Sequence, residues 1–583
     1  MSAVHPTLIV FLLFLAALVR IPYVYFWDVF YNADYALMNL VGLHAMRGEF
    51  SFYLWGQNYH AAVEPLLMAP LFKLFSPTPL VASVIPAIFC LVFLALYHRY
   101  LRRVCDAWTA TVATLILCVP APFFMSIASR NGNYIEILCL GMLHLLLFQK
   151  LLDGERTKPL LFSLGLAAGF SWFYLRIILI FWLAMALHWL LRSLAPGRFE
   201  GARRFLRDLT PGTFWNEIIL LKRFDVHPWL RVPLIALNFY NLGNFILSVA
   251  LWFHGPYIRM VGGTKLSLDF WPLLESSIKM AVVVALLIHW RALRDRAAAL
   301  IKSPIQRMLP IGFLVGYSPA ILGMFWGEFP DSRNGIANAS ELFRNFKLVA
   351  ASLVPALAGE GSITALDNFA AAFAGLALLY FFWRIIAAFR AILLKGETPP
   401  DHFPILCLGA VTFMLGITYD RLIDPSTLRY FFPLFLCLPL GIAWIAKAAG
   451  SISRWLAYAL IALYLANSVD ANVQALKRHE NPVPQQVLSD HLAQRGIRGG
   501  YANYWIAYYV TFISRENLVI VSTEDQDRYQ PHLDFVRSLD KAVFLGEPTP
   551  APASEMSIKG VSYRVTSVED IAGTSVAYLE KAF

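Results

Sequence analysis

Two carboxylates stand just past the first apolar run of this chain, in Trp27-Asp28-Val29-Phe30-Tyr31-Asn32-Ala33-Asp34-Tyr35. A carboxylate in a mostly apolar surround holds its proton more tightly than one in water, which suits it to accept a proton from a hydroxyl near neutral pH. The same residues have a plainer use, because Asp is a common helix N-cap. Residue types alone leave both readings standing. Three arginines, Arg130, Arg176 and Arg429, fall where apolar helices are predicted to end. A planar guanidinium fork matches phosphate oxygens and can hold a phosphate while charge builds on it. The common fate of a lone Arg at such a place is to snorkel to the interface. On that balance Arg429 is assigned to function and Arg176 to anchoring, and Arg130 stays open between them. Glu136 lies early in an apolar run, where an ionisable group is costly unless used. Asp420 and Asp424 are read as partners of Arg421 and Arg429.

The histidines give no metal set. His44, His60 and His254 share one side of the predicted membrane but lack ligand spacing such as i, i+4. All six cysteines (Cys90, Cys105, Cys118, Cys139, Cys407, Cys437) lie in or beside apolar runs, so neither a disulfide framework nor a Cys-rich metal site is expected. No cofactor is assigned, and a divalent cation is left open without a visible ligand set.

The elements that must position these groups are membrane spans. Apolar residues make up 58% of the 583 residues and charged residues 15%, with a mean hydropathy of +0.58, whereas a soluble chain carries about 25% charged residues. Apolar runs long enough to cross hydrocarbon fall at 7–26, 79–98, 106–124, 134–152, 231–253, 273–291, 308–326, 369–390, 404–419, 430–448 and 453–469. The stretch 159–194 is too long for one span and is read as two shorter helices meeting near Ser171 and Arg176. That makes about thirteen transmembrane helices. With the N-terminus cytoplasmic, the inner loops hold 23 Lys plus Arg against 11 in the outer loops, the expected sign. The net charge of +10 then reads as topology and not as affinity for nucleic acid. No cleavage site follows the first run, which is read as a retained anchor.

Residues 1–469 thus form a transmembrane domain with long outer loops at 27–78 and 327–368. Segment 33–48 is predicted as a helix lying along the interface. After Val469 the composition changes, and 470–583 reads as a small extracytoplasmic α/β domain. Its expected elements are a helix at 485–495, a turn at Gly499-Gly500, a strand in Leu518–Val521, a helix at 530–539 and strands near Ala542–Leu545 and Val561–Val565.

Asn32-Ala33-Asp34-Tyr35, Arg47-Gly48-Glu49, Gly56-Gln57-Asn58-Tyr59 and Glu64 together resemble the first outer loop of GT-C superfamily glycosyltransferases. Within these, the bacterial branch related to protein O-mannosyltransferases and lipid A aminoarabinose transferases is the most similar. Ser129-Arg130-Asn131-Gly132-Asn133-Tyr134-Ile135-Glu136 resembles their Gly-Tyr-Glu signature, Leu428-Arg429-Tyr430-Phe431-Phe432-Pro433 their Arg-Tyr-Leu-Pro motif, and Gly312–Pro319 their Gly-Tyr-x-Pro span. Where many members carry Asp-Glu, this chain has Asp34-Tyr35. The resemblance covers about residues 1–470 and implies an inverting transfer from a polyprenyl-phosphate sugar, at the outer face of the plasma (inner) membrane, to a glycan, lipid or protein acceptor. It implies Asp34 as the general base, Arg429 and Arg130 on the donor phosphate, and substrate contacts from Glu136, Glu64, Gln57, Tyr59 and Tyr430. A transporter or flippase would explain the spans but not the carboxylate-rich outer loop or the exported domain. A catalytically degenerate scaffold is the third reading, because Asp34-Tyr35 departs from the commoner pair.

Overall fold

The computed structural model describes residues 6–129, 132–193, 228–254, 257–261, 264–268, 277, 280, 303–326, 339–392, 397–419, 422, 425–524, 528–547 and 551–582. Among these, eight helices are long and apolar enough to cross a membrane, and a ninth candidate is a broken pair, Ala107–Cys118 and Pro122–Ser129, bent by 78°. The chain is an integral membrane protein. The pair is broken at Val119-Pro120-Ala121-Pro122, where two prolines interrupt the backbone hydrogen-bond ladder. Arg20, buried in the first helix (Pro6–Tyr25), covers the carbonyls left free at that break, donating to Leu117 O at 3.2 Å and Cys118 O at 3.1 Å. A cation is well placed at a helix C-terminus.

The other expected spans are shorter or fall outside the described residues. Segment 159–194 is two helices, Lys158–Tyr174 and Leu179–Ser193, joined by a short 3-10 turn at Arg176–Ile178. Phe403–Ile417 has 15 residues, and the run at 273–291 falls outside the described residues apart from 277 and 280.

Helices Lys158–Tyr174 and Met308–Phe325 touch backbone to backbone. A Cβ on Gly165 would lie 2.0 Å from Leu309 O, and one on Gly169 would lie 2.0 Å from Phe313 O. From the facing helix, Gly312 and Gly316 meet Phe162 O and Leu166 O at 2.2 Å in the same construction. Each helix therefore presents a Gly-x-x-x-Gly pair to the other. Such small-residue faces are how helices pack where water supplies no hydrophobic drive between them.

The first loop folds into the Ala33–Met46 helix, a short hairpin of β1 (Tyr53–Leu54) and β2 (Gln57–Ala61), and the Val63–Phe75 helix. The expectation of an interfacial helix over 33–48 is corrected: every residue of Ala33–Met46 except Asp34 and Met46 is buried. Protein covers it on both sides, with Met68 and Phe72 of the next helix and Tyr504, Tyr508, Tyr509 and Phe512 of the C-terminal domain sharing its apolar cluster. A second hairpin, β3 (Tyr257–Val261) with β4 (Thr264–Leu268), lies between later spans.

The C-terminal domain is a six-stranded mixed sheet in the order β6-β5-β7-β10-β9-β8, from β5 (Gly499–Ala502), β6 (Val519–Ser522), β7 (Lys541–Leu545), β8 (Glu555–Ile558), β9 (Val561–Ile571) and β10 (Thr574–Lys581). Successive residues of β6 alternate between its faces: Ile520 joins Leu488 and Val510 on one side, and Val519 and Val521 join Leu533 and Val536 on the other. Helices Pro484–Gln494 and Tyr504–Ile513 therefore cover one face and Gln530–Arg537 the opposite one. Gly499-Gly500 is strand and not turn. A Cβ on Gly500 would lie 2.3 Å from Val543 O, so glycine there permits close strand approach.

Candidate functional site

Asn32 Oδ1 accepts from Tyr35 N at 3.0 Å and so caps the Ala33–Met46 helix. The Asp34 carboxylate is thereby free of the capping task and meets two other elements. Its Oδ1 accepts from the Tyr504 hydroxyl at 2.6 Å, and its Oδ2 lies 3.7 Å from Arg429 Nη1. Arg429 stands in a 3-10 stretch, Pro425–Leu436, that leads into the Cys437–Gly450 helix, and its guanidinium lies 5.6 Å from the Tyr430 ring centroid. Tyr134, the first residue of its helix, is within electrostatic reach of Arg429, Tyr430, Asp34 and Tyr59. Tyr59 stacks edge-on to His60 at 4.6 Å. Burial and then the positive charges of Arg429 and Arg528 hold the His60 pKa down at about 3, which leaves the imidazole neutral.

Glu64 and Glu136 form a buried neighbourhood beside this pair, within electrostatic reach of each other and of the Tyr174 ring. Glu64 Oε2 accepts from Asn133 N at 3.3 Å, while its Oε1 and both Glu136 oxygens have no hydrogen-bond partner among the described residues. Desolvation pushes the Glu64 pKa up to about 7 against that one backbone bond. Gln57, opposite Leu54 in the hairpin, is half-buried, and its side chain makes no hydrogen bond to Asp34 or Arg429. Arg130, Asp420, Arg421 and Asp424 lie outside the described residues, as does the His254 side chain. Arg176 packs its guanidinium 6.0 Å from the Trp172 ring centroid. Asp28 is a clasp: it accepts from His479 Nδ1 at 2.6 Å and from Glu480 N at 3.0 Å.

Two residues at this site come from the C-terminal domain and carried no sequence signal. Tyr504, first residue of its helix, reaches Asp34, and burial followed by that carboxylate raises its pKa well above the usual phenol range. Arg528 Nη1 donates to Gly56 O at 2.5 Å, and its guanidinium lies 5.7 Å from the Tyr504 ring centroid. Gly56 has φ +62° at the hairpin tip, and a Cβ there would lie 2.7 Å from Arg528 Cδ, so glycine is needed twice over. The site thus brings a carboxylate, a phenol and two guanidiniums together. Proton acceptance next to an anion-binding group is the chemistry those groups can do together.

A second polar cluster joins the same domains. His44 meets His532 and Glu516, with ring nitrogens and a carboxylate oxygen all within 4.8 Å of one another. The spacing of histidines in the sequence concealed this set. Burial opposes a charge on His44, but bonds to Glu516 and Glu49 outweigh it and raise its pKa.

The class these elements define is a multispanning membrane protein with an appended α/β domain. No protein-family model and no curated protein matches this chain. Among solved structures it is similar to the Archaeoglobus fulgidus oligosaccharyltransferase in its apo form, at 13% identity and a TM-score of 0.45, over 93% of this chain and 69% of that one. It is also similar to ArnT from Cupriavidus metallidurans bound to undecaprenyl phosphate, at 13% identity and a TM-score of 0.36, over 97% of each chain.

Proposed function

We propose that this chain is a GT-C-type glycosyltransferase that moves a sugar from a polyprenyl-phosphate donor to an acceptor hydroxyl at the outer face of the plasma (inner) membrane. The observation that supports this most directly is the approach of Asp34 Oδ2 to Arg429 Nη1, 3.7 Å across two segments about four hundred residues apart. A donor phosphate entering the site competes with Asp34 for the Arg429 guanidinium. The carboxylate is then free for the acceptor hydroxyl, whose oxygen attacks the anomeric carbon as the bond to the phosphate oxygen breaks. The proton passes to Asp34, the electron pair leaves with the lipid phosphate, and Arg429 stabilises the charge that develops there. One displacement inverts the anomeric centre. Arg130 is assigned to the same phosphate, and Glu136, Glu64, Tyr59, Tyr430 and Gln57 to the sugar and acceptor. The N-terminus is cytoplasmic in this reading, 1–469 is the catalytic membrane domain and 470–583 is extracytoplasmic. The acceptor is a glycan, lipid or protein.

Asp34→Asn separates the base from a structural use, because Asn32 keeps the cap and size is unchanged. Turnover of a radiolabelled polyprenyl-phosphate sugar in detergent should fall roughly 10²–10⁴-fold with donor affinity retained. Asp28→Asn is the control and should cost stability rather than turnover per folded molecule. Near-normal transfer by Asp34→Asn would remove Asp34 as the base. Full transfer at limiting donor by both Arg429→Lys and Arg429→Ala would reduce Arg429 to an anchor.

A further inference from the structure

About 15 Å along the helix axis from Asp34, the other end of the Ala33–Met46 helix carries a constellation that glycosyl transfer does not use. His44 and His532 are buried at 6% and 9% exposure. Their Nε2 atoms approach one carboxylate oxygen, Glu516 Oε1, at 2.6 and 2.7 Å. Two imidazoles and a carboxylate are a donor set that zinc accepts.

The groups behind these three are the ones such a site requires. Glu49 Oε2 lies 2.6 Å from His44 Nδ1. By accepting the proton there it fixes the tautomer that turns a bare Nε2 inward, the carboxylate–histidine pairing found behind metal ligands. Arg47 Nη1 donates to Glu516 Oε2, which leaves Oε1 as the inner oxygen. Arg47-Gly48-Glu49 thereby gains a use that the transfer reaction does not give it. Glu516 and its neighbour Arg515 are held at φ 65° and 54°, a left-handed backbone that is costly for residues with a Cβ and that keeps the carboxylate turned toward the histidines. Glu49 and Arg47 have side chains 59% and 42% exposed, so the cluster opens to solvent past them.

We propose that His44, His532 and Glu516 bind one divalent transition-metal ion of the zinc class, pinning the C-terminal sheet domain to the helix that carries Asp34. Tetrahedral ligands about 2.0–2.1 Å from zinc lie about 3.4 Å apart. Each imidazole must then draw back about 0.7 Å from Glu516 Oε1. The rival state is metal-free, with His44 donating from both ring nitrogens to Glu49 and Glu516.

Full-length protein in detergent, stripped with a chelator, separates the two. Titration with Co(II) should give visible absorption bands of a four-coordinate site, saturating at one equivalent and bleached by Zn(II). Zn(II) should raise the melting temperature by several degrees, because an ion bound only by the folded chain stabilises it. His532→Gln and Glu516→Gln should each weaken Zn(II) binding at least tenfold, and Glu49→Gln roughly 10–100-fold. A wild-type chain whose spectrum and melting temperature ignore the metal holds only the hydrogen-bonded network, and the proposal is wrong. Stoichiometric binding that all three variants retain would place the ion elsewhere and overturn it equally.

Discussion

Asn32 and Asp34 divide between them two tasks that either short polar side chain could perform. The Asn32 side chain satisfies one free amide of its helix, Tyr35 N, and Asp34, two residues on, is left to the Tyr504 hydroxyl and the Arg429 guanidinium. A hydrogen bond to a charged group contributes about 1.5–3 kcal/mol, so the phenol is worth testing by itself. Tyr504→Phe keeps the ring, its contact with Arg528 and its place in the apolar cluster around the Ala33–Met46 helix. Turnover per folded molecule should drop roughly tenfold while the donor KM holds, if Tyr504 orients Asp34 for proton transfer. A loss in melting temperature with turnover unchanged would mark the phenol as interdomain packing alone. Asp28, although it stands closer to the first span, is engaged with His479 and the Glu480 amide and belongs to the fold.

At the scale of elements, glycine placement decides how the membrane helices meet. Gly165 and Gly169 face Gly312 and Gly316 with no room for a methyl group, because carbonyl oxygens of the facing helix occupy the space. Gly243, in the Pro228–His254 helix, has nothing within 4 Å of its hypothetical Cβ. Gly169→Ala should therefore lower thermal stability in detergent, by about 1–3 kcal/mol if the helices can shift and more if they cannot. Gly243→Ala should be neutral or slightly stabilising, since alanine favours helix by about 1 kcal/mol over glycine. Equal melting temperatures for the two variants would show that the helices part at no cost. Arg20 acts at this same scale: a single buried guanidinium closes the carbonyl end of a helix that two prolines have cut.

Across the whole molecule, the C-terminal domain grips the Ala33–Met46 helix at both ends. Tyr504 bonds Asp34 at the first turn, and Glu516 meets His44 and Arg47 at the last. Between them Tyr508, Tyr509 and Phe512 cover the helix with aromatic surface. A domain that completes the site in this way must lie on the same side of the membrane as Asp34. Alkaline phosphatase fused after residue 475 should accordingly be active if that side is extracytoplasmic, as the basic-residue asymmetry predicts. A well-expressed but inactive fusion would reverse the orientation and with it the access of a flipped lipid donor.

The sequence by itself determined the membrane class, most of the spans, the pairing of short helices at 159–194, the α/β character of the C-terminal region and the candidacy of Asp34 and Arg429. These are local properties, written in runs of hydropathy and in residues at helix ends. Only the tertiary structure decided that Asn32 is the cap, that 33–46 is buried by protein instead of lying in the interface, and that Gly499-Gly500 is strand. Nor could any pattern within the chain show Tyr504 on Asp34, Arg528 on the hairpin, or His44 with Glu516 and His532. Those partners are separated by 470 residues or more, and a contact at that separation leaves no periodicity behind. It exists because apolar burial docks the aromatic face of one helix on another, and the polar groups at its margins must then find each other.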